Sequence, residues 1–299
     1  SNGSGTNGFG NTTGTWGIDN FWNTDSSGGA GTFSTTTSSS NTVNFGTATQ
    51  NYGTTNTAIS VGIAAGGVTV NSIVYGANQS SAITLGTAGN TLTLAGTTPT
   101  ITVNNTRFHQ VILSPINGTQ GLTKSGAGTL VLRGTNVYTG GTTVNAGTLS
   151  FGTIDSKSSG THSFSAGTTL GLGLGAVGRF TDTDILNAFA GSFIGNLSGI
   201  SLDATTNIAL DTTSGALTFS ANIGPSTRGL VKIANGSNLT LTGANQYSGR
   251  TVVGGGSALI VNSLGNIADS SSNVGTNSTI DMLDLSLIHI SEPTRQAEI

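Results

Sequence analysis

Hydrophobic and polar residues alternate with a period of two in short segments along almost the whole chain. Successive side chains of a β-strand point to opposite faces, so each segment predicts a short strand with one buried face. Clusters of Gly, Asn, Ser and Thr separate the segments and predict turns. The pattern recurs at Ile83/Leu85, Leu92/Leu94, Ile101/Val103, Leu130/Leu132, Leu149/Phe151, Leu170/Leu172/Leu174, Ile200/Leu202, Ile208/Leu210, Leu217/Phe219, Leu239/Leu241 and Leu259/Val261.

One segment departs from this period. In residues 181–189, TDTDILNAF, Thr181 is followed three positions later by Asp184 and then by apolar residues. This spacing matches a capping box, in which the two side chains satisfy free N–H groups at the start of a helix. The sequence therefore predicts one short helix here.

A longer unit occurs twice. Residues 121–124 (GLTK) match residues 229–232 (GLVK) at an offset of 108, and residues 134–144 match 243–253 at an offset of 109. Each copy reads as strand, Gly turn, Asn-x-Tyr-x-Gly, strand, Gly turn, strand. Because such a unit cannot bury its apolar face alone, it must stack on neighbouring units.

The repeat predicts an all-β fold, a β-solenoid with parallel, in-register strands. With coils of roughly 20–25 residues, the chain would make on the order of a dozen coils and a rod of about 60 Å. An antiparallel sandwich or barrel is the alternative, since it also contains many short strands. The residues expected inside the solenoid are Leu130, Leu132, Val144, Leu149, Phe151 and their counterparts Leu239, Leu241, Val253, Leu259 and Val261.

The composition excludes several classes of protein. Only 7% of the 299 residues are charged, against about 25% in an average globular protein, and the net charge is −3. No basic stripe is present to neutralise the phosphates of a nucleic acid. No cysteine is present, which excludes disulfides and thiolate metal sites. No apolar run approaches the roughly 18 residues of a membrane-spanning helix.

Residues 122–151, LTKSGAGTLVLRGTNVYTGGTTVNAGTLSF, resemble the autotransporter-associated β-strand repeat of bacterial passenger domains. Residues 230–261 resemble it less closely and depart from it at residues 233–235 and at Arg250. The segment 14–25, GTWGIDNFWNTD, is similar to the Trp-rich opening that precedes such repeats. The resemblance implies a right-handed parallel β-helix, secretion across a Gram-negative envelope, and a C-terminal membrane barrel that is missing from this chain. The positions that carry the resemblance are Lys124, Gly126, Gly128, Leu130, Leu132, Gly134, Tyr138, Gly140, Gly141, Val144, Gly147 and Leu149.

The last fifteen residues, LSLIHISEPTRQAEI, differ in character from the rest because glycine disappears. Residues 285–295 resemble the translated read-through of a transposase-type sequencing adapter. We therefore expect residues 1–284 to form a β-solenoid passenger fragment and residues 285–299 to be a non-native tail. A natural polar tail is the alternative.

Few residues are candidates for chemistry. Paired carboxylates such as Asp182 and Asp184 could hydrolyse a glycoside, but their position favours helix capping, and Asp281 and Asp284 border the predicted tail. His109 and His162 lack the G-x-S-x-G context of a nucleophile elbow, and both are expected on solvated loops or strand faces. The repeats carry no Asp of the kind that binds calcium. We predict no catalytic, cofactor-binding or metal-binding residues.

We expect the aromatic residues and the repeat glycines to have structural roles. Trp16, Phe21 and Trp22 form an aromatic cluster that is expected to pack in an end coil, although aromatic faces can also stack on sugars. Tyr138 and Tyr247 recur at matched repeat positions and predict a structural turn. We further expect Gly134 and Gly243 to occupy equivalent corners with positive φ, where a β-carbon is costly.

These observations together predict a structural or adhesive passenger stalk, without catalysis or cofactor, on the outer-membrane surface of a Gram-negative bacterium. A carbohydrate- or host-binding module on the same solenoid is the alternative, and a polysaccharide-degrading β-helix enzyme is a further one. The partners implied are surface glycans or a host or neighbouring cell surface, together with the missing translocator barrel. Neither nucleic acid binding nor direct membrane insertion of this segment is expected.

Overall fold

A computed structural model describes residues 14–19, 22–23, 33–46, 59–175, 177–264, 272–276, 279–283 and 287–290. The helical elements are one α-helix, α1 (Asp182–Ala190), and the short 3₁₀ turns Ile154–Ser156 and Gly195–Leu197. The strands are β1 (Gly14–Trp16), β2 (Trp22–Asn23), β3 (Phe33–Ser34), β4 (Thr42–Phe45), β5 (Ile59–Ile63), β6 (Val68–Val70), β7 (Ser72–Tyr75), β8 (Ile83–Leu85), β9 (Leu92–Leu94), β10 (Thr100–Val103), β11 (Gln110–Ile112), β12 (Ile116–Asn117), β13 (Leu122–Ser125), β14 (Thr129–Leu132), β15 (Thr142–Val144), β16 (Thr148–Phe151), β17 (His162–Phe164), β18 (Thr169–Gly173), β19 (Ile200–Leu202), β20 (Asn207–Asp211), β21 (Leu217–Phe219), β22 (Leu230–Lys232), β23 (Leu239–Leu241), β24 (Thr251–Val253), β25 (Ala258–Val261), β26 (Ile280–Met282) and β27 (Leu287–Ile290).

Most strands lie in four parallel sheets. Sheet I has eleven strands in the order β1-β5-β8-β11-β14-β16-β18-β20-β22-β24-β26. Sheet II has seven (β19-β17-β15-β13-β10-β7-β4), sheet III has three (β12-β9-β6) and sheet IV has four (β21-β23-β25-β27). Only the short pair β2–β3 is antiparallel among the described strands. The predicted parallel β-solenoid is therefore confirmed, and the antiparallel sandwich is wrong.

The chain visits the sheets in a regular order that changes along its length. From β7 to β12 it passes from sheet II to sheet I to sheet III and then repeats the cycle. These coils add one strand to each of the three sheets, at a spacing of about 4.8 Å. From β13 to β20 the chain alternates between sheets II and I, and from β20 to β25 it alternates between sheets I and IV.

The interior is a set of apolar ladders that run from coil to coil. Leu132 pairs in register with Phe151, Phe151 with Leu172, and Leu172 with Leu210. All ten residues predicted inside are fully buried. Period-two alternation thus places one side of most described strands in the core, and the in-register pairing of coils stacks apolar residues on apolar residues.

The two repeat copies lie on different faces of the solenoid. In the first copy, β13 belongs to sheet II and β14 to sheet I. In the second, the equivalent strands β22 and β23 belong to sheets I and IV. The copies are therefore rotated by one face, although each keeps the same local sequence of strands and turns.

The change of face comes after α1 in the chain. The presence of α1 confirms the predicted helix. The Thr181 side chain accepts a hydrogen bond from the Asp184 backbone N–H, and the Asp184 carboxylate accepts one from the Thr181 N–H at 2.8 Å. Gly191 ends the helix in the left-handed conformation with φ 74°. Buried Ile185 and Phe189 add the helix to the core, so α1 takes the place that a third strand or turn holds in other coils.

Gly134 and Gly243 are required for a different reason from the one expected. Neither has positive φ, so that prediction is wrong. A β-carbon on Gly134 would instead lie 2.3 Å from the Ser114 carbonyl oxygen, and one on Gly243 2.2 Å from that of Ala221. Glycine is needed because the adjacent coil approaches the corner too closely for any side chain.

Sheet I is curled, whereas the sequence predicted a straight rod of stacked coils. From β11 to β22 there are five strand spacings, or about 24 Å in a flat sheet. Yet His109 Nδ1 lies 3.1 Å from the Ala234 carbonyl oxygen, and Asn235 Nδ2 donates to the Arg107 carbonyl. These contacts require the outer face of sheet I to bend inward like half of a barrel.

The expected domain boundary at residue 284 stays a prediction. β27 lies beyond it and pairs in register with β25, with Leu287 opposite Ala258 and Ile290 opposite Val261. Truncation of residues 285–299 is the test of this boundary.

Candidate functional site

The curl of sheet I encloses a second interior on its outer face. In the outward-facing row, Val131, Ser150, Gly171 and Ala209 lie side by side in register, and all are buried. Small residues occupy the centre of the row, where the bend brings neighbouring side chains together. Sequence reasoning expected this face to meet solvent, because one strand shows only which residues alternate and not how the whole sheet bends.

A polar cluster lies in this enclosed face. Ser150 Oγ donates to Asp211 Oδ2 at 2.7 Å, and the Thr213 N–H donates to Asp211 Oδ1 at 2.8 Å. Arg133 Nη2 donates to Thr213 Oγ1 at 2.5 Å. Burial is the main cause that lowers the pKa of Arg133, and the nearby Asp211 carboxylate opposes it. The arrangement joins coils that are distant in sequence through a buried carboxylate.

This cluster does not form a nucleophilic triad. Ser150 donates directly to the carboxylate, whereas a triad needs a histidine between the hydroxyl and the carboxylate. His109 is near, but its Nδ1 contacts the Ala234 carbonyl oxygen. Burial lowers the pKa of His109, and the contact with Ala234 acts in the opposite direction. These hydrogen bonds therefore hold the curled sheet together, and none of them places a base where it could take a proton from Ser150.

His162 is buried, so the expectation of a solvated histidine is wrong for it. It points into the core from β17, where its ring packs edge-on against Phe151 with centroids 5.2 Å apart. Its Nε2 lies 2.9 Å from the Ser158 carbonyl oxygen. Burial lowers the pKa of His162 to about 4, so the ring is neutral at neutral pH.

The carboxylate pair of α1 serves the helix start. Asp184 is 5% exposed and holds the capping box, and Asn196 Nδ2 donates to its Oδ2 at 3.1 Å. Asp182 lies in the first helical turn, where a negative charge is stabilised by the helix dipole. Asp281 pairs with Arg250 at 3.0 Å, and Asp284 lies outside the described residues. Capping is thus confirmed for Asp184.

The aromatic residues that can be described are structural. Trp16 is fully buried, which confirms packing, whereas Phe21 and the side chain of Trp22 lie outside the described part. Tyr138 and Tyr247 are fully buried, and their hydroxyls lie 2.6 Å and 2.8 Å from threonine hydroxyls four residues later. The recurring tyrosine therefore fills the corner and satisfies its own polar end.

Two buried lysines were missed by the sequence reasoning. Lys124 is 0% exposed, and its Nζ donates to the carbonyls of Ser125, Gly126 and Ala146 at 2.9–3.1 Å. Because Ala146 lies in the following coil, the ammonium links two coils. The recurrence of lysine at both repeat starts, among apolar residues, was the available signal.

Lys232 repeats this arrangement in the second copy. It is 1% exposed and donates to the Ile233 carbonyl at 2.9 Å and to Ser257 Oγ. Burial lowers the pKa of Lys232 to about 8, and it lowers the pKa of Lys124 to about 7. Lysines with lowered pKa can serve as nucleophiles, but both side chains are buried here, and their ammonium groups donate three hydrogen bonds in Lys124 and two in Lys232.

Two further classes of site are not found in the described residues. No group of three or more His, Cys, Asp or Glu side chains is placed to hold a metal ion. The same part of the chain has no helix with the length and hydrophobicity needed to cross a bilayer.

Comparison with known proteins supports the repeat. Residues 122–151 and 235–257 match the family model described as Passenger-associated-transport-repeat. The adhesin BmaC autotransporter of Brucella suis biovar 1 (strain 1330) is 33% identical over 185 residues, which are 58% of this chain and 5% of that protein. No solved structure matches the chain significantly. The matches, together with the parallel coils, identify residues 122–151 and 235–257 as autotransporter passenger repeats.

Proposed function

We propose that the chain is a stretch of passenger stalk that carries an adhesive surface outside a Gram-negative cell and performs no catalysis. The observation that carries this proposal is the eleven-stranded parallel sheet, which continues from β1 to β26. Such stacking pairs the backbone groups of each coil with the coils before and after it. Length and rigidity then come from repetition.

The adhesive part of the proposal comes from the relative, whose name describes an adhesin autotransporter. This chain spans only 5% of that protein, so adhesion, ligand and translocator are proposed for the whole polypeptide. The partners are a translocator domain and a surface ligand on a host or neighbouring cell. The outer membrane surface is the proposed location.

Folding outside the cell would suit this architecture. Each coil contacts mainly its neighbours, so a coil that emerges from a secretion pore can fold on the preceding one. Lys124 and Lys232 strengthen this dependence, because their ammonium groups bond to the next coil. Progressive stacking would thereby oppose backward movement of the chain.

The test places the full chain between a secretion signal and the translocator of a known autotransporter in a Gram-negative host. We expect detection by antibody on intact cells and resistance of the folded coils to added protease. Val144→Asp puts a charge at a fully buried position, whereas Thr143→Asp puts the same charge at an exposed neighbouring position.

We expect Val144→Asp to reduce protease-resistant display and Thr143→Asp to leave it unchanged. Retention of the parent chain in the periplasm would contradict the proposal. Equal display of both variants would show that export does not depend on coil stacking.

A further inference from the structure

A polar cleft lies at neighbouring corners of the solenoid. Residues 77–80 connect β7 to β8, and residues 104–107 connect β10 to β11 in the next coil. Together they line a cleft of about 380 Å³, within the range of ligand pockets of about 300–1,000 Å³. The wall contains amides, hydroxyls and one arginine.

The frame of the cleft is fixed by Asn105, which is 3% exposed. Its Nδ2 donates to the carbonyls of Ala77 and Gln79 at 2.8 Å and 2.9 Å. Its Oδ1 accepts from the backbone N–H groups of Arg107 and Phe108 at 3.0 Å and 2.7 Å. The two Nδ2 bonds tie the two corners together, and the two Oδ1 bonds fix the corner that carries Asn105, so the cleft is formed before any ligand arrives.

Gln79 supplies an unsatisfied acceptor. Its side chain is 4% exposed, and its Nε2 donates to the Phe45 carbonyl at 2.7 Å. Its Oε1 is buried and has no hydrogen-bond partner. A buried acceptor without a donor is unfavourable, so this corner holds one polar group that the fold itself leaves unpaired.

Arg107 gives the cleft its charge. It is exposed, and its guanidinium lies over the Phe108 ring at 5.2 Å from the centroid. The eight lining residues include no carboxylate, and none of the ion pairs in the described residues involves Arg107. Its planar group, held on the ring, can bind a carboxylate through two parallel hydrogen bonds.

We infer that this cleft binds an acidic sugar, a hexuronic acid unit of a surface polysaccharide. The carboxylate would lie on Arg107, and the sugar hydroxyls would contact the exposed side chains of Asn104 and Thr106. An apolar ligand would leave this polar wall unpaired, and a metal cation would meet a positive charge. The inference rests on the proposed function, since only a surface displayed outside the cell meets such polysaccharides.

The experiment titrates the full-length chain with a short oligogalacturonate and with its methyl ester, which keeps the ring hydroxyls and removes the charge. Binding is measured by calorimetry at low and high salt. Arg107→Gln tests the carboxylate contact, and Thr106→Val removes one exposed hydroxyl. Arg250→Gln is the matched control, because it removes an exposed arginine whose partner is Asp281.

We expect saturable binding of the acid, weaker binding of the ester, and a loss of about tenfold or more in Arg107→Gln. Thr106→Val should cause a smaller loss, and Arg250→Gln should bind like the parent. Absence of binding, equal binding of acid and ester, or equal weakening by Arg250→Gln would overturn the inference. Display of Arg107→Gln on cells, measured separately, shows whether the stalk proposal stands when sugar binding fails.

Discussion

Replacement of Lys124 by Met is the most informative single perturbation of the coil stack. The ammonium is fully buried and bonded to three carbonyl oxygens. Met has similar length and no charge, so the variant removes the hydrogen bonds and the charge together. Its effect on the free energy of unfolding should therefore depend on pH.

The sign follows from the pKa. Burial lowers the pKa of Lys124 to about 7 in the folded chain, whereas an unfolded lysine titrates near ~10.4. Between these values the unfolded chain binds more protons, so stability rises with pH. The slope is about 1.4 kcal/mol per pH unit, or roughly 3 kcal/mol from pH 7 to 9.5.

The hydrogen bonds of Lys124 determine how much more stable the parent is than Lys124→Met at high pH. A neutral amine has only two N–H groups, so two bonds at about 1 kcal/mol each make Lys124→Met about 2 kcal/mol less stable than the parent near pH 9.5, where the parent lysine is neutral. Near pH 7 the cost of holding the charge offsets this advantage, and the two proteins should differ by no more than about 1 kcal/mol. Replacement of a buried charge by an apolar group is often neutral for this reason.

The assay is urea unfolding of the parent and Lys124→Met at several pH values from 6 to 9.5. Lys157→Met serves as the control, because Lys157 is only half-buried and bonds to a single carbonyl, that of Ser198. We expect the parent and Lys124→Met curves to diverge with rising pH and the Lys157→Met curve to diverge less, because Lys157 is less buried than Lys124. Parallel curves for the parent and Lys124→Met would refute the reasoning.

Three further changes test other parts of the fold. Gly134→Ala and Gly243→Ala should each destabilise by more than about 1 kcal/mol, measured by urea unfolding, whereas Gly224→Ala, which meets no atom within 4 Å, should have little effect; equal results at all three sites would contradict the close-approach explanation. Burial lowers the pKa of His162 to about 4, so stability should fall as pH drops from about 6.5 towards 4, and His162→Asn should flatten that part of the profile; an unchanged profile would contradict it. Removal of residues 285–299 should leave the Tm unchanged by calorimetry, and a clear fall would show that this segment is a genuine coil.

Local features of the fold were predictable from sequence because they depend on near neighbours. Alternation at Leu130 and Leu132 fixes which side chains face the core, and the Thr181–Asp184 spacing fixes the helix start. Both rest on short-range geometry that three or four residues determine. The repeat then implies stacking, since each unit leaves an apolar face uncovered.

The remaining features depend on contacts between distant coils. The curl of sheet I becomes evident only from pairs such as His109–Ala234, which are 125 residues apart. The buried position of Lys124 depends on carbonyls that two adjacent coils bring together. Alternation places this lysine on the inward face, but the low base rate of buried lysine argues against that reading. The cleft at residues 77–80 and 104–107 is likewise formed by corners whose stacking sequence alone does not show.

Disulfide trapping tests the central claim of in-register parallel coils most directly, because the chain contains no cysteine. Thr123 and Thr143 are direct neighbours in adjacent coils, and Ser163 continues the row one coil further. Strand neighbours lie within the Cα separation of about 4.4–6.8 Å that a disulfide allows, whereas residues two coils apart, at about 10 Å, exceed it. The account predicts a disulfide in the double variant Thr123→Cys/Thr143→Cys and none in Thr123→Cys/Ser163→Cys. Failure of the first pair to form in the folded protein, or equal formation of both, would contradict the parallel solenoid.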